Sequence, residues 1–391
     1  MRILPKEFHM RKVLFVIPSL SVGGTISSLS GIYEKLKDEY FIAVYAIVHS
    51  KNVDVPFRER LLKRNVVIHF CNANLNGVSG WEKVFTVVFK VVKKICLKFH
   101  FDLCDFFYRK VSKQISNNYD VIVGFEEGSA TKLVSMCACE NKIAWVHCDY
   151  SRYKFCGEEY QYYSKFNRII CVSKYTSKIF VNVYPALKSK VTYIHNILDY
   201  KRIIEKSKDV IDDNRFSTKD FTILSVGRLS SVKRFDEIPR IANQIRQKGL
   251  KFKWFIIGPI TTDDSNERIA DNINKYGVHD AVFYLGNKKN PYPYFRACNL
   301  LVSLSSSEAC PMIFNEAKVL GVPIVTTNFP SSYEFVVDEV EGKIVPLEKI
   351  HDVLIRMISD NVYYSEFVKR ISQNKYSNKE IVNRLSNIFS V

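Results

Sequence analysis

Short apolar runs alternate with amphipathic patterns of helical period along most of the chain. Runs rich in Val and Ile that are separated by helices are typical of parallel sheets built from βα units. The pattern therefore predicts an α/β fold with two doubly wound sheets. In the first half the predicted strands are Val13–Ile17, Ile42–Val48, Val66–Phe70, Val121–Phe125, Ile143–His147 and Ile169–Val172. In the second half they are Thr222–Val226, Lys253–Ile257, Val282–Leu285, Leu300–Leu304 and Pro323–Thr326.

A polar segment with little periodicity, KDVIDDNRFSTKD at 208–220, separates the two sets of strands. Such a composition predicts a linker, and a chain of 391 residues suits two domains better than one core. We therefore expect an N-terminal domain over 1–207 and a C-terminal domain over 221–372. A final helix is predicted within 373–391, and the sequence leaves its docking site open.

Two of the predicted strands lead into segments that are suited to phosphate. Gly23 and Gly24 follow the first strand and open a helical pattern. Backbone N–H groups and the positive end of a helix attract anions at such a turn, although a plain βα turn has the same sequence. After the strand at 222–226, Arg228 and Lys233 add two cations. This pair would suit a diphosphate, and two solvated surface cations are the alternative.

Two glutamates, Glu308 and Glu316, lie in the mostly apolar stretch SSSEACPMIFNEAKVLGVPIVTT. Pro311 and Gly321 predict a loop followed by a short helix between these two residues. Glu308 is then expected in the loop and Glu316 in the helix, both facing the crevice at the carboxyl edge of the sheet. Carboxylates there can accept hydrogen bonds from the vicinal hydroxyls of a ribose or a hexose. A solvated loop residue and a solvated helix residue are the alternative.

The net charge of +17 is unevenly distributed, because residues 1–200 hold 29 Lys and Arg against 17 Asp and Glu. A basic excess suits nucleic acid, an anionic membrane surface or a phosphorylated ligand. The sequence has no zinc-finger, homeodomain or RRM-type pattern. No nucleic-acid partner is therefore expected.

The segment Trp81–Phe99 predicts a helix with lysines on one face and apolar side chains on the other. Such a helix could lie on an anionic membrane surface or pack against a sheet, and the sequence leaves both open. No run of 18 uncharged apolar residues is present, so no transmembrane helix is expected. The apolar run Val13–Leu20 is interpreted as the first strand and not as a signal peptide.

Ten cysteines are scattered through the chain, mostly in apolar runs and without a paired spacing. This pattern favours free buried thiols in a reducing cytosol. Cys137, Cys139 and Cys148 could instead ligate a metal, although their spacing is not a usual zinc pattern.

Together these motifs resemble the family-4 glycosyltransferases of the GT-B fold. The resemblance rests on a Glu-x7-Glu pair, Glu308 and Glu316, and continues through SVGRL, FIIGP, VFYLG and EAKVLGVPIVTTN. In the first half it covers the Gly-Gly turn, IAWVHCDY, ICVSKYTSKIF and VTYIHNILD. It implies two Rossmann-like domains facing across a cleft, the first for the acceptor and the second for the nucleotide sugar.

The resemblance also implies roles for residues of the second domain. Arg228 and Lys233 would hold the diphosphate of the donor, Glu316 its ribose, and Glu308 hydroxyls of its sugar. Phosphate would also bind backbone N–H groups at the start of the helix, those of Met312 and Ile313.

In the first domain, Gly23 and Gly24 would close on the donor, and His147 would lie near the donor sugar. From the sequence alone, a histidine at the end of a strand could equally be structural. Some positions depart from the family: Ala309 and Cys310-Pro311 follow the first glutamate, and Ile26-Ser27 replace the usual acidic–basic pair. The first of these departures concerns the sugar pocket and not the nucleotide site.

The expected activity is transfer of a hexose or N-acetylhexosamine from a nucleotide diphosphate sugar, such as a UDP-sugar, to a hydroxyl of a glycan or lipid-linked glycan. The resemblance implies retention of the anomeric configuration and no metal or other cofactor. The enzyme is expected in the cytoplasm, peripheral at the inner face of the membrane, in synthesis of a surface polysaccharide such as capsule or lipopolysaccharide. The alternatives are a nucleotide-sugar epimerase and a non-catalytic partner subunit of a transferase.

Overall fold

The computed structural model divides the chain into two compact units. The first comprises Met1–Ile197 and Asn378–Val391, and the second comprises Leu198–Ser377. The segment Trp81–Phe99, for which the sequence predicts an amphipathic helix, lies outside the residues that the structure describes. The described residues are 10–21, 23–48, 57–59, 68–70, 103–211, 213–216, 220–260, 264–373 and 376–390.

The first unit contains a parallel sheet flanked by helices. Its strands are β1 (Lys12–Ile17), β2 (Phe41–Ala46), β3 (Ile68–Phe70), β4 (Val121–Gly124), β5 (Asn141–Val146), β6 (Arg168–Cys171) and β7 (Val191–Tyr193). They are arranged in the order β3-β2-β1-β4-β5-β6-β7, and each pair is parallel. The helices are α1 (Gly24–Leu36), α2 (Leu103–Ile115), α3 (Ser129–Ser135), α4 (Tyr160–Tyr163) and α5 (Lys174–Val183).

The second unit repeats this architecture. Its strands are β8 (Phe221–Val226), β9 (Phe252–Ile257), β10 (Val282–Tyr284), β11 (Leu300–Ser303), β12 (Ile324–Thr327) and β13 (Gly342–Val345), in the parallel order β10-β9-β8-β11-β12-β13. The helices are α6 (Tyr200–Lys206), α7 (Ile238–Arg246), α8 (Ser265–Tyr276), α9 (Tyr292–Ala297), α10 (Met312–Val319), α11 (Ser332–Phe335), α12 (Ile350–Ser359) and α13 (Asn361–Gln373).

The central strands are apolar throughout because helices cover both faces of each sheet. In β1, KVLFVI, every residue after Lys12 is buried, as expected for a strand of a parallel sheet. Helix starts are specified locally as well. Ser173 caps α5 by accepting from the N–H of Thr176 at 3.0 Å, and the Thr176 hydroxyl completes a capping box.

The last helix, α14 (Lys379–Phe389), belongs to the first unit. Its Leu385 and Phe389 side chains are buried. The Phe389 ring meets Phe15 edge-on, with 6.1 Å between centroids, and the guanidinium of Arg11 donates to the Phe389 carbonyl at 2.6 Å. The predicted final helix therefore docks on the sheet that begins the chain.

The predicted strands are all present where the structure describes them, with ends that differ by one or two residues. Of the strand predicted at Val66–Phe70, only Ile68–Phe70 is described. Two strands were not predicted, β7 and β13. The second unit begins before the predicted linker, because Ile203 of α6 packs with Leu198 and Met312 in one apolar cluster.

Each sheet has one point at which the strand order reverses, between β1 and β4 and between β8 and β11. Loops at the carboxyl ends of these strands diverge there and leave a crevice suited to a ligand. In the second unit the backbone is closely packed beside that crevice. A Cβ on Gly258 would lie 1.7 Å from the Gly227 carbonyl oxygen, so only glycine fits after β9.

Within the described residues, none of the helices has both the length and the apolar character needed to cross a membrane.

Gly258→Ala is expected to lower the free energy of unfolding by about 3 kcal/mol or more, because backbone strain adds to overpacking against Gly227. Gly249→Ala is the matched control, since its φ of 74° imposes strain but nothing lies within 4 Å of the new Cβ. Urea denaturation of the two variants measures the difference. Equal losses of stability would show that the close approach does not constrain this edge of the sheet.

Candidate functional site

The strand reversal in the second unit brings two polar loops together. Residues 227–234 follow β8, and residues 304–311 follow its neighbour β11. The backbone N–H of Ser306 donates to the Val232 carbonyl at 2.9 Å, which joins the loops directly. Side chains from both loops therefore converge at the position where open α/β sheets bind their ligands.

An ion pair between Lys233 and Glu308 occupies this position. The two side chains are only 19% and 15% exposed, so the pair is largely withdrawn from water. The Ser305 hydroxyl donates to the same carboxylate oxygen at 2.7 Å. The aliphatic part of Lys233 lies over Gly227, where a Cβ would approach Lys233 Cε to 3.2 Å. The structure thus brings together two of the predicted site residues.

Two hydrogen bonds from residues in and after β12 hold the loop that carries Glu308. The Ser331 hydroxyl donates to the Glu308 carbonyl at 2.6 Å, and the Thr327 hydroxyl donates to the Ser305 carbonyl at 2.5 Å. These bonds tie the loop to the next strand and its following turn, so the carboxylate is held by well-ordered neighbours. Such supported side chains suit a site that must keep its geometry.

The same two loops also carry hydrogen-bond donors that suit phosphate, one within the first loop and others where the second loop leads into a helix. Arg228 is exposed and forms no hydrogen bond or ion pair with any described residue. Helix α10 begins after Pro311, and its first N–H groups have no partner within the helix. Among the described residues, the N–H groups of Met312 and Ile313 are not otherwise hydrogen-bonded. A guanidinium and a helix start provide donors for an anion.

Glu316 lies on α10 and is 8% exposed. Its hydrogen bond with the Tyr292 hydroxyl is long, 3.4 Å, and no other donor from the described part of the chain reaches the carboxylate. Burial raises the pKa of Glu316 to about 7, and the tyrosine opposes this only in part. A buried carboxylate with so little support can accept further hydrogen bonds from a ligand.

In the first unit, Gly23 and Gly24 lie at the start of α1, after β1, and both are exposed. The Gly23 carbonyl accepts the first bond of the helix from Ser27 at 2.9 Å. A Cβ on Gly23 would meet nothing within 4 Å. The predicted glycine turn and helix start are therefore present, next to the strand reversal of the first sheet.

His147 directly follows β5 and packs against aromatic rings. The Phe125 centroid is 4.5 Å from its ring, and the Trp145 ring is stacked at 6.1 Å. Burial lowers the pKa of His147 to about 3, so the imidazole is neutral near pH 7. Its Nε2 atom is buried and has no hydrogen-bond partner among the described residues. A buried ring nitrogen without a partner is uncommon in a folded protein, which singles out this position.

Glu127 was not singled out from the sequence. It follows β4 at the strand reversal and is 8% exposed. Its Oε1 accepts from the backbone N–H groups of His147 and Cys148 at 2.5 and 2.8 Å. Burial raises the pKa of Glu127, and the amide donors oppose this rise. A glutamate directly after a buried strand was the available clue, but the sequence does not distinguish it from Glu126.

The cysteines that could have formed a metal site are separate packing residues. Burial raises the pKa of the Cys137 thiol to about 12, and the Cys139 thiol contacts backbone carbonyls. In the ranges that the structure describes, no three His, Cys, Asp or Glu side chains are arranged to hold a metal ion.

These features define a class of protein: an α/β protein with two doubly wound parallel sheets and a polar crevice at the strand reversal of the second. The sequence of that unit has a match among known families. Residues 206–378, somewhat under half of the chain, match the family model described as Glycosyl transferases group 1. The glycosyltransferase resemblance predicted from the motifs is thereby confirmed.

Several curated relatives and many solved structures are similar to the chain, and two relatives and one structure serve as examples. An uncharacterized glycosyltransferase of Methanocaldococcus jannaschii is 26% identical over 172 residues, 43% of this chain and 42% of the relative. The capsular polysaccharide biosynthesis glycosyltransferase CapM of Staphylococcus aureus is 25% identical over 205 residues, 49% and 50% of the two chains. The matched stretches thus span about half the length of these relatives.

HepE of Anabaena, solved in complex with UDP and glucose, has a TM-score of 0.73 at 15% identity. The alignment covers 97% of this chain and 99% of HepE. At this identity the similarity concerns the fold. It confirms the predicted fold class, α/β of the GT-B type.

Because the folded state raises the pKa of Glu316 from 4.5 to about 7, it binds a proton there more tightly than the unfolded chain does. The ionised carboxylate therefore lowers stability at high pH, and this cost fades as the pH falls below about 7 towards 4.5. Glu316→Gln is expected to raise the free energy of unfolding by up to about 3 kcal/mol near pH 8, and by less than about 1 kcal/mol near pH 5.

Urea denaturation at the two pH values measures this difference. Glu348→Gln is the control, since Glu348 is exposed in the same unit and its substitution should change stability little at either pH. An effect of Glu316→Gln that did not depend on pH would contradict the raised pKa.

Proposed function

We propose that the protein is a glycosyltransferase that moves a hexose or N-acetylhexosamine from a nucleotide diphosphate sugar to a hydroxyl of a glycan or lipid-linked glycan. The observation that supports it most is the meeting of Lys233 and Glu308 at the strand reversal of the glycosyltransferase group 1 domain. The buried carboxylate of Glu316, which has one long hydrogen bond from Tyr292, lies in the same domain. Cations beside carboxylates match a ligand with both phosphates and hydroxyls.

The donor's diphosphate is assigned to Arg228, Lys233 and the N–H groups at the start of α10. Arg228 brings a free fork of donors. Lys233 keeps two of its three ammonium donors when one faces Glu308. The N–H groups of Met312 and Ile313 add the positive end of the helix. Together these groups would neutralise the charge that develops on the leaving diphosphate, without a metal ion.

The hydroxyls of the donor are assigned to the two glutamates. Glu316 would accept from the ribose, because its buried carboxylate has only one long hydrogen bond to replace or supplement. Glu308 would accept from the donor sugar, since Lys233 and Ser305 fix its position. In the first unit, Gly23 and Gly24 would close on the donor, and the neutral imidazole of His147 would hydrogen-bond to the sugar.

The proposed reaction retains the anomeric configuration by attack from the face of the leaving group. The bond from the anomeric carbon to the phosphate oxygen breaks, and a bond to the acceptor oxygen forms on the same side. The acceptor's proton passes to the departing phosphate oxygen. Glu308 then serves as a ligand of the sugar and does not form a covalent intermediate.

A UDP-sugar is the proposed donor, and a surface polysaccharide such as capsule is the proposed product. HepE was solved with UDP and glucose, and the name of CapM places that relative in capsular polysaccharide biosynthesis. The expected location at the inner face of the cytoplasmic membrane remains a prediction.

Thermal-shift measurements with UDP-, GDP- and ADP-sugars test the function. A UDP-sugar is expected to raise the melting temperature, since a ligand that binds only the folded state stabilises it. The stabilising donor is then incubated with the protein, and analysis of the products distinguishes a transferase from an epimerase and from a partner subunit. Released or transferred sugar supports a transferase, an isomerised donor indicates an epimerase, and binding without conversion indicates a partner subunit. Failure of every nucleotide sugar to stabilise the protein would refute the proposal.

The two glutamates are expected to differ in the kinetic step that they support. Glu316→Ala should raise KM for the donor about tenfold or more, because it removes hydrogen bonds made before and during reaction. Glu308→Ala should mainly lower kcat, by about a hundredfold, because it releases Lys233 and the sugar. Initial rates of donor hydrolysis provide both constants.

Glu348→Ala is the matched control, an exposed glutamate of the same unit, and should leave both constants unchanged. The reverse pattern would show that the roles of Glu308 and Glu316 are exchanged. A sugar found covalently attached to Glu308 by mass spectrometry would contradict same-face attack.

A further inference from the structure

A second site candidate lies entirely within the first unit. A cavity of about 200 Å³ is formed by the end of β7, the first turn of α5 and the first turns of α14. Its volume corresponds to about six or seven liquid waters, enough for a phosphate ester. None of its residues has a role in the proposed transfer. Besides Ile194, the residues that line it are Lys174, Tyr193, His195, Glu380, Ile381 and Arg384.

Two cations of this cavity are grouped around one aromatic ring. The Arg384 guanidinium carbon lies 4.4 Å from the centroid of Tyr193, and the Lys174 ammonium lies 5.6 Å from it. Arg384 also donates to the Tyr193 carbonyl at 2.5 Å. This contact uses one of the five N–H donors of the guanidinium. The ring therefore holds both cations in place while donors of Arg384 remain for a ligand.

The helix starts add positive potential at the same place. Lys174 is the first residue of α5, and the first turn of that helix contains no acidic residue. A cation at a helix N-terminus is electrostatically unfavourable, because the helix already presents about half a positive charge there. Glu380, in the first turn of α14, is the carboxylate among the described residues that line the cavity. Two basic side chains and two helix starts beside this carboxylate favour an anion over a cation in the cavity.

We propose that this cavity binds a phosphoryl group, carried as a phosphate ester by the acceptor. Lys174, Arg384 and the positive ends of two helices surround the cavity, and a phosphoryl group offers them several charged acceptor oxygens. The excess of Lys and Arg in residues 1–200 would favour approach of such a ligand. The proposal that a phosphate ester binds here depends only on these observations. The proposal that the ester belongs to the acceptor rests on the proposed function.

Methyl NMR of protein labelled at the Ile δ1 positions tests the proposal with glycerol phosphate as the probe. Ile381 lines the cavity, so its signal reports on this site and not on the donor site of the other unit. The signal is expected to shift saturably on titration. Lys174→Gln should weaken binding about tenfold, equivalent to about 1.4 kcal/mol, and Glu380→Gln should tighten it because a repelling charge is removed.

Lys178→Gln is the matched control, since Lys178 is an exposed lysine of the same helix and does not line the cavity. It should leave the affinity near that of the unchanged protein. An Ile381 signal that did not respond, or that responded equally in the Lys174→Gln protein, would overturn the site. Binding of inorganic phosphate with exclusion of glycerol phosphate would overturn the ester and indicate a free anion instead. The titration contains no nucleotide sugar. A negative result would therefore overturn this site without contradicting the proposed transferase activity, which the thermal-shift measurements test.

Discussion

Every strand of both sheets runs parallel to its neighbours, so every strand ends at the same edge of its sheet. This constraint decides where polar residues can be placed without disturbing the core. The helices bury the faces, and the loops after the strands carry the charges. At the reversal between β8 and β11 it brings Lys233 and Glu308, 75 positions apart in the chain, into an ion pair. At the reversal between β1 and β4 it places Glu127 beside the segment that holds His147.

Two of the buried glutamates, Glu127 and Glu316, show how hydrogen bonding separates a structural carboxylate from one that is proposed to bind a ligand. Both are 8% exposed. Glu127 accepts two short bonds from backbone amides, which satisfies it within the fold. Burial raises the pKa of both carboxyl groups, but Glu316 has only one long hydrogen bond, from a tyrosine. A protein tolerates such a loss of stability where the group serves a ligand, as perturbed carboxylates in binding sites commonly do. The hydrogen bonds, more than the depth of burial, therefore distinguish the two roles.

Periodicity was sufficient to predict the buried strands, because a short continuous apolar run between amphipathic helices is typical of a strand that is covered on both faces. It failed for β7, whose three residues are all half-buried, and for β13, where Lys343 interrupts the apolar pattern. Both are edge strands, which have one neighbour and less apolar surface to bury. The site residues of the second unit could be proposed from motif spacing. The contact between Glu127 and His147 could not, because it depends on how one loop turns relative to another.

The cavity at Tyr193 could not be predicted from the sequence for a related reason. Its walls come from β7 and α14, which are separated in the chain by the whole second unit. Lys174 and Arg384 each look like ordinary surface cations of an amphipathic helix. Only the packing of α14 against the first sheet makes them neighbours of the same ring.

The packing of α14 on the first sheet also determines which of the two units can finish folding first during synthesis. Phe389 packs edge-on against Phe15, at the other end of the chain, and Leu385 of the same helix is buried as well. The second unit is one continuous stretch and can finish folding as soon as it has left the ribosome, whereas the first must wait with its Phe15 flank uncovered. The sheet that is translated first is therefore the last to be closed.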